Sequence, residues 1–312
     1  MISSIFGKTK PINHIIVLSF LFLFYWMVNF FVFGKTYTPN ELFPQTLVLG
    51  ILTFSFFVVN FIVKRNKITG QNSFAIVLYT MLIVVFPEVL VDNNAILCNF
   101  FLLLGLRRLI SIKSLKNIKL KIFDATLWIC VASLFYDMAL IFILLVFIAI
   151  YFYEPKNIRN WMVPFIGVFT VLMIVWALLI LAGQEGFLMA HYTFSFEFDK
   201  GYFLNLQNSA KLIIYAVIVF VASLFTFIRM GKAGIGRIAT MRLIVLFFIL
   251  GILLKVLKTS SGTYPIIITF FPAVVFFTNY IEAIKKPNIK EVVLILSIVI
   301  PFIIFFSGLA MR

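Results

Sequence analysis

The sequence is poor in charged residues. Only 12% of its 312 residues are charged, whereas soluble domains carry about 25%. Hydrophobic residues make up 63% of the chain, and the mean hydropathy is +1.13. This excludes an ordinary water-soluble domain, and 40 phenylalanines exceed what one aqueous core could bury. The net charge of +15 does not indicate a nucleic-acid partner, because the basic residues flank apolar segments.

Motifs of common catalytic and metal sites are also missing. The sequence has no Gly-rich P-loop, GxSxG elbow, HExxH or DxDxDG pattern. Its two cysteines, Cys98 and Cys130, lie in apolar segments outside any CxxC or Cys/His pattern, so we interpret them as buried apolar side chains. A zinc-type site needs several converging ligands, and His191 is the one histidine placed in a predicted outer loop.

Long apolar runs dominate the sequence. The first run, residues 12–33, is too long for a cleaved signal segment and has no small-residue cleavage site, so we predict that it is a span. The fold class is therefore all-α: a polytopic integral membrane protein in which residues 1–312 form a single transmembrane domain. We predict about eleven membrane segments, nine of them near residues 12–33, 45–63, 73–91, 95–111, 159–181, 208–228, 242–258, 264–281 and 292–310.

The run at residues 125–153 decides the topology. It is too long for one upright span and too short for two ordinary ones, which need about 20 residues each. A short hairpin there, with a cytoplasmic amino end, keeps most of the 26 lysines and arginines on the cytoplasmic side; a single tilted helix would move the later basic loops outside. The hairpin places Asp137 at its tip, where a carboxylate can face water or a cation.

The same topology places several acidic residues on the outer side. We predict catalytic roles for Glu41, Glu88, Asp92 and Asp137, one of them acting as general base at an outward-facing cavity. The outer loop at 183–208 adds His191, Glu197 and Asp199 as further candidates. Carboxylates suit Mg²⁺ or Mn²⁺, although the sequence leaves a metal undetermined. Solvated loop acids are the simpler interpretation of each residue alone.

One outer segment, "KVLKTSSGTYP", breaks the charge rule because it carries two lysines. We predict that ammonium groups, hydroxyls and free backbone amides form a lipid-phosphate-binding cradle at Lys255, Lys258, Ser260 and Ser261. The alternative is that both lysines reach to lipid headgroups. On the cytoplasmic side, the basic segment at 107–123 predicts a surface helix bound to anionic headgroups.

The stretches "IFGKTKPINHII", "FLLLGLRRLISIKSLKN" and "ASLFYDMALIFILLVFIAIYFYEPKNIRNWMVPFIG" resemble a family of polytopic inner-membrane proteins of Bacteroidota. More remotely, the order of basic loop, short apolar hairpin, basic turn and long span is similar to the GT-C membrane glycosyltransferases. That resemblance implies transfer of a sugar from a polyprenyl-phosphate donor on the outer side. The first outer loop, however, has Glu41 as its sole acid and lacks paired acids.

Three hypotheses of function follow. The first is a GT-C-like glycosyltransferase, or a polyprenyl-phosphate-lipid-binding protein, of the bacterial inner membrane and cell envelope. The second is a transporter or flippase, which would use intramembrane polar residues along a path. The third is a non-catalytic subunit of an envelope membrane complex. Whether the protein is an enzyme stays open at this point.

Overall fold

A computed structural model describes residues 5–230, 234–260 and 262–310. This part of the chain is almost entirely helical, as the sequence predicts. Its eleven longer helices are α1 Pro11–Met27, α2 Pro39–Arg65, α3 Phe74–Val85, α4 Asn93–Ser111, α5 Ile118–Ser133, α6 Ile143–Tyr153, α7 Ile158–Leu181, α8 Leu206–Arg229, α9 Ile235–Leu257, α10 Phe270–Ala283 and α11 Pro287–Ala310. Short helical turns join several of them, at Val28–Val32, Pro87–Leu90, Ile112–Ser114, Asp137–Phe142, Phe187–His191, Lys200–Leu204 and Pro265–Thr269.

Eight helical segments of the described chain are long and apolar enough to cross a membrane. The protein is therefore a multi-pass membrane protein. The other predicted spans are shorter. For example, α3 has 12 residues, or about 18 Å at ~1.5 Å per residue, less than a hydrocarbon core of ~30 Å. Its side chains are nevertheless almost all buried, because neighbouring helices surround it.

The run that the sequence predicts as a hairpin does reverse direction. Helix α5 runs up to Ser133, the chain turns at 134–136, and the turn Asp137–Phe142 leads back into α6. The first arm begins at Ile118, not at about Ala125, and so takes up residues assigned to a surface helix. That prediction of one surface helix over 107–123 is wrong. Residues 107–111 complete α4, because their apolar side chains pack against α5.

The helix ends gather into two sets. We call one the site end; it holds the turn at 134–136 and the loop at 182–205. There a two-residue strand, β1 Glu197–Phe198, pairs in parallel with β2 Lys258–Thr259, with Glu197 opposite Lys258. We call the other the basic end; it holds Arg108, paired with Asp124, and Lys113. The pairing of β1 and β2 ties the long loop to the end of α9.

A close helix contact fixes the position of α9. A Cβ on Gly251 would lie 2.8 Å from the Thr269 methyl carbon, so only glycine lets α9 approach the turn Pro265–Thr269 this closely. Thr269 is held from the other side by Tyr215 of α8, whose hydroxyl lies 2.8 Å from its Oγ1. Lys255 follows Gly251 by one helical turn, and the same contact therefore sets the position of its side chain.

The hairpin can be tested by topology. A reporter fused after Tyr136 and one fused after Met189 should report the same side of the membrane, because both positions lie at the site end. A reporter inserted in the loop at 113–117 should report the opposite side and serves as the control. Opposite sides for the first two fusions would contradict the hairpin.

Candidate functional site

A buried ion cluster lies where the hairpin turn, β1 and β2 meet. The Nζ atom of Lys258 is 3.1 Å from Oδ1 of Asp137 and 3.2 Å from Oε1 of Glu197. Asp137 and Lys258 are 3% and 6% exposed, whereas the Glu197 side chain reaches solvent. The Asp137 Oδ1 atom also accepts a hydrogen bond from the backbone N–H of Met138, at 2.7 Å. One lysine thus forms ion pairs with carboxylates from two separate segments.

Asp92 links the start of α4 to the hairpin turn and to the segment that follows β2. It begins α4 by accepting a hydrogen bond from the backbone N–H of Ala95 at 2.9 Å, the usual role of an aspartate at an N-cap. Its other oxygen accepts hydrogen bonds from the Tyr136 hydroxyl and from the backbone N–H of Tyr264. Its buried charge is therefore compensated by hydrogen bonds.

Lys255 has a different environment. It is 2% exposed, and its Nζ atom has no hydrogen-bond partner among the described residues. The ammonium lies 4.4 Å from the centre of the Tyr202 ring and 5.6 Å from that of Tyr264, which gives it cation–π contacts only. The carboxylates of Glu88 and Asp92 interact with it electrostatically without an ion-pair contact.

The same two tyrosines also line a cavity of about 620 Å³. Glu88 and Lys211 line it as an ion pair, with Lys211 Nζ 3.0 Å from Oε1 of Glu88. Burial raises the pKa of the Tyr202 phenol, and the nearby Glu88 raises it further, so the hydroxyl stays protonated at neutral pH. The remaining lining residues are Val32, Val85, Pro87, Asn205, Asn208, Tyr264, Ile304, Phe305, Ser307, Gly308 and Leu309.

Comparison with known proteins places the chain in a family. A family model described as "Family of unknown function (DUF6427)" matches residues 8–311. The chain belongs to the DUF6427 family. No curated protein and no solved structure matches it.

In this DUF6427 protein, the fold brings together most of the residues singled out from the sequence. Asp92, Asp137, Lys258 and Glu197 lie in the hydrogen-bonded and ion-paired network, and Lys255 lies beside it. Glu88 lines the adjacent cavity. These residues span about 170 positions of the sequence, from Glu88 to Lys258, and lie near one another only because four segments converge at the site end.

Other candidates lie apart from the cavity. Glu41 is exposed and accepts a hydrogen bond from the backbone N–H of Thr38 at the start of α2. His191 Nε2 lies 2.8 Å from the Ser133 carbonyl oxygen, and Asp199 caps the short helix that follows it. Ser260 hydrogen-bonds with Thr263 inside a turn. Ser261 lies outside the described residues.

No group of three or more His, Cys, Asp or Glu side chains in the described ranges is arranged to hold a metal ion. Asp137 and Glu197 come near each other through the ammonium of Lys258, which occupies the position a cation would take between them. The Mg²⁺ or Mn²⁺ prediction therefore has no ligand set in the part of the DUF6427 chain that is described.

Sequence reasoning missed Lys211, Tyr202 and Tyr264. Lys211 carried a usable signal: it lies near the outer end of a predicted span, where the charge rule expects few basic residues, just as it does for Lys255. The tyrosines carried no such signal, because outer loops and span ends are commonly rich in aromatic residues.

The ion cluster predicts unequal effects for two substitutions. Lys258→Met leaves two carboxylates unpaired and should destabilise the protein by about 3–5 kcal/mol, the usual cost of removing one partner of a buried pair. Asp137→Asn leaves Lys258 paired with Glu197 and should cost less. Unfolding in a fixed detergent measures both, and the double variant should recover part of the loss. An equal or larger loss for Asp137→Asn would contradict this assignment.

Proposed function

We propose that this protein lies in the bacterial inner membrane with its site end facing outward. The support is the distribution of basic residues, because loops rich in lysine and arginine stay in the cytoplasm. Arg107, Arg108 and Lys113 lie at the basic end, and Lys113 donates to the carbonyl oxygen of Asn66 in the neighbouring loop there. Anionic headgroups of the inner leaflet would bind this surface.

At the site end, the protein binds the phosphate headgroup of a lipid carrier of the polyprenyl-phosphate class. The observation that carries this proposal is the buried ammonium of Lys255, which makes ring contacts but no hydrogen bond within the described residues. An ammonium has three N–H donors. Burying a charged group in a membrane segment costs free energy, and such groups commonly mark functional sites. Phosphate oxygens would satisfy both its charge and its donors.

The cavity supplies further groups for such a headgroup. Lys211 adds a second ammonium, and Asn208 adds an amide group. Lys255 itself does not line the cavity. The rings of Tyr202 and Tyr264, which contact its ammonium, do line it. Tyr202 belongs to the short helix Lys200–Leu204, and we expect it to turn aside when phosphate reaches Lys255.

The two lysines predicted to form one phosphate cradle have separate roles in this proposal. Lys258 is engaged by Asp137 and Glu197 and holds the loop against the bundle. Lys255 is the ammonium that remains available to a ligand. Ion pairing of Lys258 leaves little attraction for an added anion, because two carboxylates already outweigh its charge.

Substitution of Lys255 tests this function. Lys255→Met should weaken binding of a long-chain phosphate lipid by more than tenfold, since a hydrogen bond to a charged group contributes about 1.5–3 kcal/mol. Lys290→Met is the matched control, because Lys290 also lies over an aromatic ring, 5.3 Å from the centre of Phe74, but at the basic end. Binding is measured by titration of the protein in nanodiscs. Equal affinities for the two variants would overturn the proposal.

A glycosyltransferase is the second candidate, favoured by one carboxylate that faces the cavity. Glu88 lines it beside the proposed phosphate site and would act as general base to an acceptor hydroxyl. Glu88→Gln should retain lipid binding and lower transfer by ~10²–10⁴-fold, the usual contribution of a general base. Envelope glycans are compared in cells where the variant replaces the native protein. Unchanged glycans would mean that the protein binds the lipid but does not catalyse glycosyl transfer.

A further inference from the structure

An apolar groove continues from the cavity along the membrane-facing side of the bundle. Its volume is about 480 Å³, and helices α3, α8, α10 and α11 line it. The lining side chains are mostly aliphatic or aromatic, and Met81, Ile218, Phe277 and Ile300 represent the four helices. Ile218 and Ile300 are about half exposed, so the groove is open on its lipid side.

The groove and the cavity share three lining residues: Val85, Lys211 and Ile304. Lys211 marks the boundary between them. It lines both compartments, and its ammonium is held 3.0 Å from Glu88, which lines the cavity. Such a side chain has an apolar stem and a charged head, and it separates an apolar compartment from a polar one. A ligand that fills both compartments must itself be amphiphilic.

The length of the groove fits one leaflet. On α11 it extends from Val293 to Ile304, a rise of about 16 Å at ~1.5 Å per residue. Half of a hydrocarbon core is about 15 Å. The groove therefore follows the bundle to roughly the depth that a lipid chain reaches when its headgroup lies at the membrane surface.

The groove offers a ligand little besides apolar contact. The Tyr215 hydroxyl is directed to Thr269, and the Ser297 hydroxyl donates to the Leu294 carbonyl oxygen of its own helix. Burying a hydrocarbon chain there is favourable by about 25 cal/mol per Å² removed from water, although lipid tails offer the same apolar environment. The groove therefore contributes to affinity mainly by positioning the hydrocarbon chain of a ligand whose headgroup lies in the cavity.

We propose that the cavity and the groove form one site for a single-chain phosphate lipid, with the phosphate in the cavity and the hydrocarbon chain in the groove. This inference rests on the proposed headgroup site and specifies how the rest of the ligand lies. The phosphate bound in the cavity would hold the hydrocarbon chain of the same molecule in the groove. Free phosphate would occupy the cavity alone.

The test uses the full chain in phosphatidylcholine nanodiscs and a dodecyl phosphate probe with a photoactivatable diazirine at its chain end. Label should appear on α8, α10 or α11 near Ile218, Phe277 or Ile300. Ile218→Trp should reduce labelling at least tenfold, because the indole fills the groove. Ile213→Trp is the matched control: Ile213 lies on the same helix, is 61% exposed and lines neither compartment.

The outcomes separate the groove from the headgroup site. Equal labelling of Ile218→Trp and Ile213→Trp, or label confined to other helices, would overturn the proposal that the groove binds the hydrocarbon chain. Competition by inorganic phosphate as strong as that by unlabelled dodecyl phosphate would also overturn it. Loss of labelling in Ile218→Trp together with full labelling in Lys255→Met would instead keep the groove as a chain site and refute the phosphate role of Lys255.

Discussion

The arrangement of the site end depends on one ion cluster, in which Lys258 pairs with Asp137 and Glu197. Asp137 and Lys258 are buried, and burying either charge without the other would be strongly unfavourable. Asp137 comes from the hairpin turn, Glu197 from the long loop and Lys258 from the end of α9. The ion pairs hold these three distant segments together, and in this arrangement Tyr202 lies over Lys255.

The membrane class and the helical fold could be predicted because they depend on long apolar runs, which composition records directly. The reversal at residues 134–136 could also be predicted, since basic loops on both sides of the run require an even number of crossings. The start of α5 was misplaced, because lysines in "IKLKIF" read as a surface segment. In the fold, Ile122 of that segment is fully buried, while Lys119 is exposed and Lys121 is half-buried.

The site was only partly predictable. Asp137, Lys255 and Lys258 were recognisable as charges in apolar surroundings, which sequence shows. Lys258 pairs with both Asp137 and Glu197. Glu197 lies about 60 residues upstream of Lys258, and only the pairing of β1 with β2 places it there. Glu41 looked equivalent to Asp92 as an outer acid, yet one caps an exposed helix start and the other lies in the network.

The loop at 182–205 is attached to the bundle through the backbone pairing of β1 with β2, through the ion pair of Glu197 with Lys258 and through His191 at the Ser133 carbonyl oxygen. Backbone hydrogen bonds place little demand on side-chain identity, so we expect an exposed neighbouring position such as Phe196 to tolerate substitution. Positions 137 and 258 have no such freedom. A charge reversal at one is tolerable only with a compensating change at the other, and family members that differ there should differ at both.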